Sequence, residues 1–308
     1  MAEKNIRTWW ERHKPSKRRF VQLYSALLYN ANINGFVRGS IYTGSGKKAC
    51  VPGLNCYSCP GAIGSCPLGA LQNSLSSSYG SGIAYVAGTL LMLGILLGRT
   101  ICGWLCPFGL IQELLHKIPT KKIRKSRVTR LLSLTKYAVL AAFVIAIPLW
   151  YRIAKGLPVP GFCKYICPAG TLQGSVPLLL HPGNANLKKV LGGLFVNKVT
   201  ILVLVLTASV FCRRAFCRFL CPLGAIYGLS SRIALVGVKV DEKRCTGCKR
   251  CVSACPMDIR KVGDRECVHC TACMRVCGEK AISMKAGKIT LMQPANTKKE
   301  DDSVRNVL

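Results

Sequence analysis

The sequence predicts an all-α membrane bundle of four transmembrane helices, built as a duplicated two-helix unit and followed by a small C-terminal α+β module. Three observations carry this prediction. Apolar runs reach about the ~20 residues that a bilayer requires. A cysteine–proline motif recurs four times in alternation with those runs, and eight cysteines are crowded at regular intervals near the C-terminus. Composition agrees: half of the 308 residues are hydrophobic, mean hydropathy is positive and the formal net charge is +32. From Cys50 to Val240 the single acidic residue is Glu113. The basic clusters flank apolar runs, which suits the positive-inside rule and contact with membrane lipid; nucleic acid is not expected as a partner.

Taken in order, residues 1–19 form a basic cytoplasmic head with seven Lys/Arg, and residues 20–37 are moderately apolar but interrupted by Asn30, Asn32 and Asn34. Residues 82–98, 131–150 and 190–211 read as spans. Segment 117–136 carries eight Lys/Arg and no acid, so it and the head should both be cytoplasmic. An even number of crossings must separate them. With 82–98 as one, 20–37 must be the other, its asparagines turned to protein or a pocket rather than lipid. Lys17-Arg18-Arg19-Phe20 is followed by Gln22 and the asparagines without a small-residue cleavage site, so no cleavable signal peptide is expected there. The membrane domain then spans 20–237, with loops around 38–81 and 151–189 facing outward. Both termini and the 238–285 module are cytoplasmic, and 286–308 is a flexible tail.

The module runs Cys245-x2-Cys248-x2-Cys251-x3-Cys255-Pro256 and then Cys267-x2-Cys270-x2-Cys273-x3-Cys277. Three thiolates two residues apart can curl around one iron–sulfur cube, and the longer gap sends the fourth to its neighbour. The spacing therefore predicts two [4Fe–4S] clusters in a bacterial ferredoxin module, one on Cys245, Cys248, Cys251 and Cys277, the other on Cys267, Cys270, Cys273 and Cys255. A zinc ribbon would use one four-ligand set. Gly278 follows the last cysteine where proline is usual. Metal-bound cysteines at this density must stay reduced, which points to an anaerobic cell or a protected site.

The repeated motif reads Cys66-Pro-Leu-Gly-Ala-Leu-Gln, Cys106-Pro-Phe-Gly-Leu-Ile-Gln, Cys167-Pro-Ala-Gly-Thr-Leu-Gln and Cys221-Pro-Leu-Gly-Ala-Ile-Tyr. Cys102, Cys163 and Cys217 precede three of the copies by four residues. Proline favours the first position of a helix, which places the preceding cysteine where N–H groups and the helix dipole stabilise a thiolate. Cys102, Cys106, Cys217 and Cys221 fall on the cytoplasmic side and form one four-thiolate set, expected to hold a third [4Fe–4S] cluster; zinc or unligated packing are the competing readings. The outer side offers Cys56, Cys59, Cys66, Cys163 and Cys167, four of which would bind a fourth cluster. Cys50 is free for a disulfide, and Cys212 is expected to be unligated. The metal in every set is iron.

On the paired C-x3-C-P units (Cys102/Cys106, Cys217/Cys221) and the double-cluster module, residues 18–285 resemble the polyferredoxin-type membrane electron-transfer family. That family includes the quinol-oxidising membrane subunit of periplasmic nitrate reductase and the membrane part of the nitrous-oxide-respiration regulator. The outer cysteines depart from its simplest members, which favours a route continuing to the outer face. The expected function is transmembrane electron transfer through [4Fe–4S] clusters, from a cytoplasmic donor such as ferredoxin to a flavin- or haem-bearing partner subunit or another extracytoplasmic acceptor. The alternatives are a menaquinol-oxidising subunit and a redox-sensing or cofactor-assembly membrane protein. Tyr24, Tyr29, Asn30, Asn32 and Asn34 could line a quinone pocket, although helix–helix hydrogen bonding explains them as well. His116 and His181 lie near opposite faces, so a bis-histidine haem is not expected. Arg99, Arg213, Arg214 and Arg218 should lie near the inner set and raise its potential.

Overall fold

The computed structural model describes residues 17–76, 81–123, 125–189 and 191–293. Its principal helices are α1 (Lys17–Tyr29), α2 (Pro67–Ser76), α3 (Ser81–Leu96), α4 (Pro107–Leu115), α5 (Arg127–Lys155), α6 (Gly193–Phe211) and α7 (Pro222–Ser230). Helix α1 is inside-out. It buries Arg18, Gln22, Ser25 and Tyr29 and exposes Phe20, Leu23, Leu27 and Leu28, the reverse of a helix on a water-soluble core.

The expected continuous span over 20–37 is broken, and the asparagines break it. Asn30 Nδ2 donates to Ala26 O at 2.9 Å and to Asn55 Oδ1 at 3.0 Å; Asn32 Nδ2 donates to Pro60 O at 3.0 Å. These bonds compete with the helix ladder, so α1 stops at Tyr29. A short helix, Ile33–Arg38, follows and is closed by Gly39 at φ 61°. Both pieces are tied to the rest of the bundle. Arg18 bonds Gly103 O, while His181 and Asn184 donate to the carbonyls of Val37 and Gly39. Asn34 is exposed, so only two of the three asparagines turn to protein.

Two helices, α5 with 29 residues and α6 with 19, are long and apolar enough to cross a membrane. Helix α3 is apolar throughout but has 16 residues, about 24 Å at ~1.5 Å per residue. All of these helices point large apolar side chains outward, among them Leu91, Met92, Leu131, Trp150, Val203 and Leu204. Pro148 and Pro177 lack the N–H that would close a regular turn, and the backbone widens to π geometry just before each, over Leu140–Ala146 and Thr171–Ser175.

Inside the bundle one continuous core joins Leu68, Phe108, Phe162, Phe216 and Tyr227 to Cys66, Cys106, Cys167, Cys217 and Cys221. The C-terminal module carries a three-stranded antiparallel sheet in the order β1 (Val236–Val240), β2 (Ile282–Ala286), β3 (Ile289–Met292), with Val238 opposite Met284 and Val240 opposite Ile282. Val238 and Ile282 pack on Met274. Strand β3 lies in the stretch expected to be a flexible tail, because its pairing with β2 orders it; residues 294–308 lie outside the described residues.

Candidate metal centres

Each cysteine–proline unit starts a helix as its proline dictates. Cys106, Cys167 and Cys221 are N-cap residues, and the sulfurs of Cys167 and Cys221 each accept a backbone N–H three residues on, from Gly170 and Gly224, both at 3.3 Å. The glycine of C-P-x-G has a steric cause. A Cβ at Gly224 would lie 3.3 Å from Arg99 Nη2, and one at Gly109 would lie 3.3 Å from Arg214 Nη2. Glycine thus lets a guanidinium from each half of the repeat approach the helix start of the other.

Cys102, Cys106, Cys217 and Cys221 line one cavity, together with Gly53, Leu54, Arg99, Tyr227 and Val268. The donor set is four thiols from both halves, walled by apolar side chains and one buried cation, and this fits a cluster held by thiolates. Among the described residues no three His, Cys, Asp or Glu groups converge as they would on a single metal ion. Arg99 and Arg214 are both buried. Arg99 bonds Gly224 O and Glu266; Arg214 bonds Glu113 Oε1 at 2.9 Å and Cys102 O at 2.5 Å. Glu113 also pairs with Arg18 and Arg213. Burial alone would raise its carboxyl, but Arg214, Arg18 and Arg213 together hold it down at about 2. Arg218 pairs instead with Asp258 and donates to Cys212 Sγ at 3.2 Å. Cys212 is accordingly turned to an arginine rather than to the cavity.

Two pairs of outer cysteines are neighbours. A Cβ at Gly170 would lie 3.6 Å from Cys167 Sγ and 3.7 Å from Cys56 Sγ, and one at Gly69 would lie 3.7 Å from Cys163 Sγ and 3.9 Å from Cys66 Cβ. Cys56 therefore stands beside Cys167, and Cys163 beside Cys66. Cys59 faces Cys56 and the N–H groups of Gly61 and Ala62 in its own turn. Cys50 sits in a bridge with Ser65, and all nineteen cysteines are free, so no disulfide ties it. Of the residues considered for a quinone pocket, Tyr24 is exposed, and Asn30 and Asn32 are engaged with the 55–60 loop.

In the module, Cys245, Cys248, Cys251 and Cys277 line a single cavity of 1090 Å³, with Cys245 and Cys248 exposed at its mouth. Cys267 packs with Cys255 and Cys270. Burial and then the neighbouring thiols Cys267, Cys270 and Cys255 push the Cys273 thiol up, and Cys267 is pushed to about 12. Burial and crowding oppose ionisation of these thiols, so a bound metal would have to supply the charge that deprotonates them.

These sets are contiguous. Cys102 packs against the Met257, Ile259, Cys267 and Val268 cluster of the module. Trp104 Nε1 donates to His269 O at 3.0 Å, and Thr100 Oγ1 bonds both Val236 O and His269 Nδ1. A Cβ on Gly103 would collide with Val268 O. Buried ion pairs of Arg99 and Lys136 with Glu266, and of Arg218 with Asp258, hold the module on the bundle. Between the inner and outer sets, Phe108 and Phe216 meet edge to face at 5.2 Å, and Phe216 lies 6.5 Å from Phe162, the residue before Cys163. The loop that lines the inner cavity with Gly53 and Leu54 reaches the outer set at Cys56.

The sequence spacing named the cysteines that share the inner cavity and the module cavity; it did not single out the groups packed around them. Gln72, Gln112 and Gln173 close the quoted motifs, and their recurrence was the available signal. Glu266, Asp258 and Lys136 left none, since their pairing joins distant segments.

A family model described as a 4Fe-4S binding domain matches residues 80–126, 159–181 and 198–240, and a second 4Fe-4S binding domain model matches 238–261. An uncharacterized protein of Methanocaldococcus jannaschii is 30% identical over 220 residues, 68% of this chain and 71% of its own length. The methylamine utilization ferredoxin-type protein MauN of Methylorubrum extorquens is 28% identical over 197 residues, 61% of this chain and 59% of its own. The regulatory protein NosR of Stutzerimonas stutzeri is 28% identical over 169 residues, 52% of this chain and 20% of its own. No solved structure matches. With iron–sulfur domain matches over the paired C-x3-C-P units and the first cysteine run of the C-terminal module, the chain belongs to the polyferredoxin-type electron-transfer family.

Proposed function

We propose that this protein is a membrane-embedded electron relay running from a cytoplasmic donor, such as a ferredoxin, to an acceptor at the outer face. The observation that carries the reading is the unbroken succession of four cysteine sets through one packed molecule. Cys245, Cys248, Cys251 and Cys277 would hold the first [4Fe–4S] cluster, Cys255, Cys267, Cys270 and Cys273 the second, Cys102, Cys106, Cys217 and Cys221 the third, and Cys56, Cys66, Cys163 and Cys167 the fourth. Clusters so bound supply one-electron transfer without proton movement.

The chain's own residues do the rest. The exposed Cys245 and Cys248 make the module the receiving end. Arg99 and Arg214, one from each half, favour thiolate at the inner set, and Glu113 and Glu266 keep those cations from standing unpaired in the core. Trp104, Thr100 and the Arg218–Asp258 pair hold the module against Cys102. The outward apolar faces and the inside-out α1 support four crossings, the first in two pieces, with both termini and the module cytoplasmic. The basic 117–136 segment agrees with that orientation.

The test is vectorial transfer. Protein purified and loaded without oxygen, then placed in liposomes, should pass electrons from a low-potential donor on the module side to an impermeant acceptor on the other. Cys248→Ser should stop uptake and Cys163→Ser should stop delivery, each with the remaining clusters still visible by EPR. Undiminished flux in Cys163→Ser would sink the proposed exit.

A further inference from the structure

Six residues after each motif cysteine stand Gln72, Gln112, Gln173 and Tyr227. Neither ligand spacing nor helix capping calls for glutamine there, yet Gln72 and Gln112 are fully buried. Gln112 Oε1 accepts the N–H of Phe216 at 3.0 Å, and Gln112 Nε2 lies 3.1 Å from Cys217 Sγ. Gln72 repeats this in the outer set: Oε1 accepts the N–H of Phe162 at 2.8 Å, and Nε2 lies 3.3 Å from Cys163 Sγ. Chemistry settles the amide orientation. A backbone N–H only donates, so the atom facing it is oxygen, and the NH2 group is left to share its two hydrogens between the sulfur and a carbonyl of its own helix, Leu68 O at 3.1 Å for Gln72 and Phe108 O at 3.4 Å for Gln112. Gln173 keeps part of the arrangement, its Oε1 accepting the N–H of Cys56 at 2.9 Å. Tyr227 departs from it and donates to Pro52 O at 3.0 Å.

We propose that Gln112 and Gln72 are positioning residues that clamp the first cysteine of the opposite half, Cys217 and Cys163, and by donating N–H to each sulfur raise the reduction potential of the inner and outer clusters respectively. This rests on the reading that these cysteines are cluster ligands. One-electron reduction places added negative charge on the cluster and its sulfurs, and an N–H aimed at a ligand sulfur stabilises that charge. In the dry core the interaction is little screened. The clamp also accounts for the motif's length. The glutamine sits in the second turn of the helix that its own cysteine starts, far enough along to reach across the repeat interface.

The experiment is an EPR-monitored redox titration of the full, loaded chain as wild type, Gln112→Leu and Gln72→Leu, with iron and acid-labile sulfide measured on each. Leucine keeps the bulk and removes the donor. Iron content should stay at the wild-type value. Gln112→Leu should move one signal to lower potential, Gln72→Leu a different one, and the module's signals should stay in place. Full iron with unmoved potentials overturns the proposal. If a leucine variant loses its cluster, wild-type protein carrying isotope-labelled glutamine side-chain nitrogen decides. Hyperfine coupling of that nitrogen to the reduced clusters upholds the clamp, and its absence overturns it. Wild-type chain holding only the module's iron, about eight atoms, overturns the cluster reading and this proposal with it.

Discussion

Glu266 is the single carboxylate shared by two buried cations, Arg99 and Lys136, and all three are almost wholly excluded from solvent. Glu266→Gln removes the one carboxylate that Arg99 and Lys136 share among the described residues. Breaking a buried pair in this way costs about 3–5 kcal/mol, which at about 1.4 kcal/mol per decade is roughly a hundred- to several-thousand-fold in the equilibrium holding the module on the bundle. Lys136→Met should behave in the opposite way. It leaves Arg99 and Glu266 as a balanced pair and removes a buried ammonium, so its cost should be small or reversed. The assay is protease cleavage in the 232–236 connection against a urea series, with exposed Glu242→Gln as control. Glu266→Gln should be cut at markedly lower urea than wild type, and Lys136→Met should not. If Glu266→Gln tracks the Glu242→Gln control, the buried triad does not hold the interface and the electrostatic argument fails.

Four clusters predict about sixteen irons per chain, with Cys66→Ser losing about four of them and Cys59→Ser and Cys212→Ser losing none; iron and sulfide analysis checks all three. Gly103→Ala drives a methyl into Val268 O, so it should slow electron passage from module to bundle while leaving iron content unchanged, as read by rapid-mixing reduction of the inner signal. Glu113 titrates at about 2 rather than the ordinary 4.5. Its folded value is depressed, so its stabilising contribution is complete above about 4.5 and fades as pH falls toward 2. Release of α1, followed by protease access near residue 30, should rise over that acid range in wild type and be pH-independent there in Glu113→Gln.

Much of the chemistry was legible because iron–sulfur ligation writes itself into local spacing. The C-x2-C-x2-C-x3-C runs, the cysteine before each proline and the inner set spanning both halves could all be named from short motifs, and the structure places the inner four around one cavity. The outer set was ambiguous because Cys56 and Cys59 lie equally near in sequence. Which of them meets Cys167 depends on the direction of a tight turn: Cys56 lies beside Cys167 at Gly170, and Cys59 contacts the N–H groups of Gly61 and Ala62. Where the first helix ends was hidden for a related reason. Hydropathy over 20–37 averages the asparagines with their apolar neighbours, whereas their bonds to the 55–60 loop interrupt the helix.

By itself, then, the sequence determined the cofactor class, the recurring cysteine–proline motif and the family, since each is written in covalent order and short spacing, which survive without any long-range contact. Only the tertiary structure decided that the inner and outer sets share one core through Phe216, that Glu266 and Asp258 neutralise arginines more than a hundred and about forty residues away, and that glutamines closing one half's motifs reach the sulfurs of the other. Those facts belong to packing across the repeat interface, where partners are chosen by shape and charge complementarity between segments that no local pattern connects.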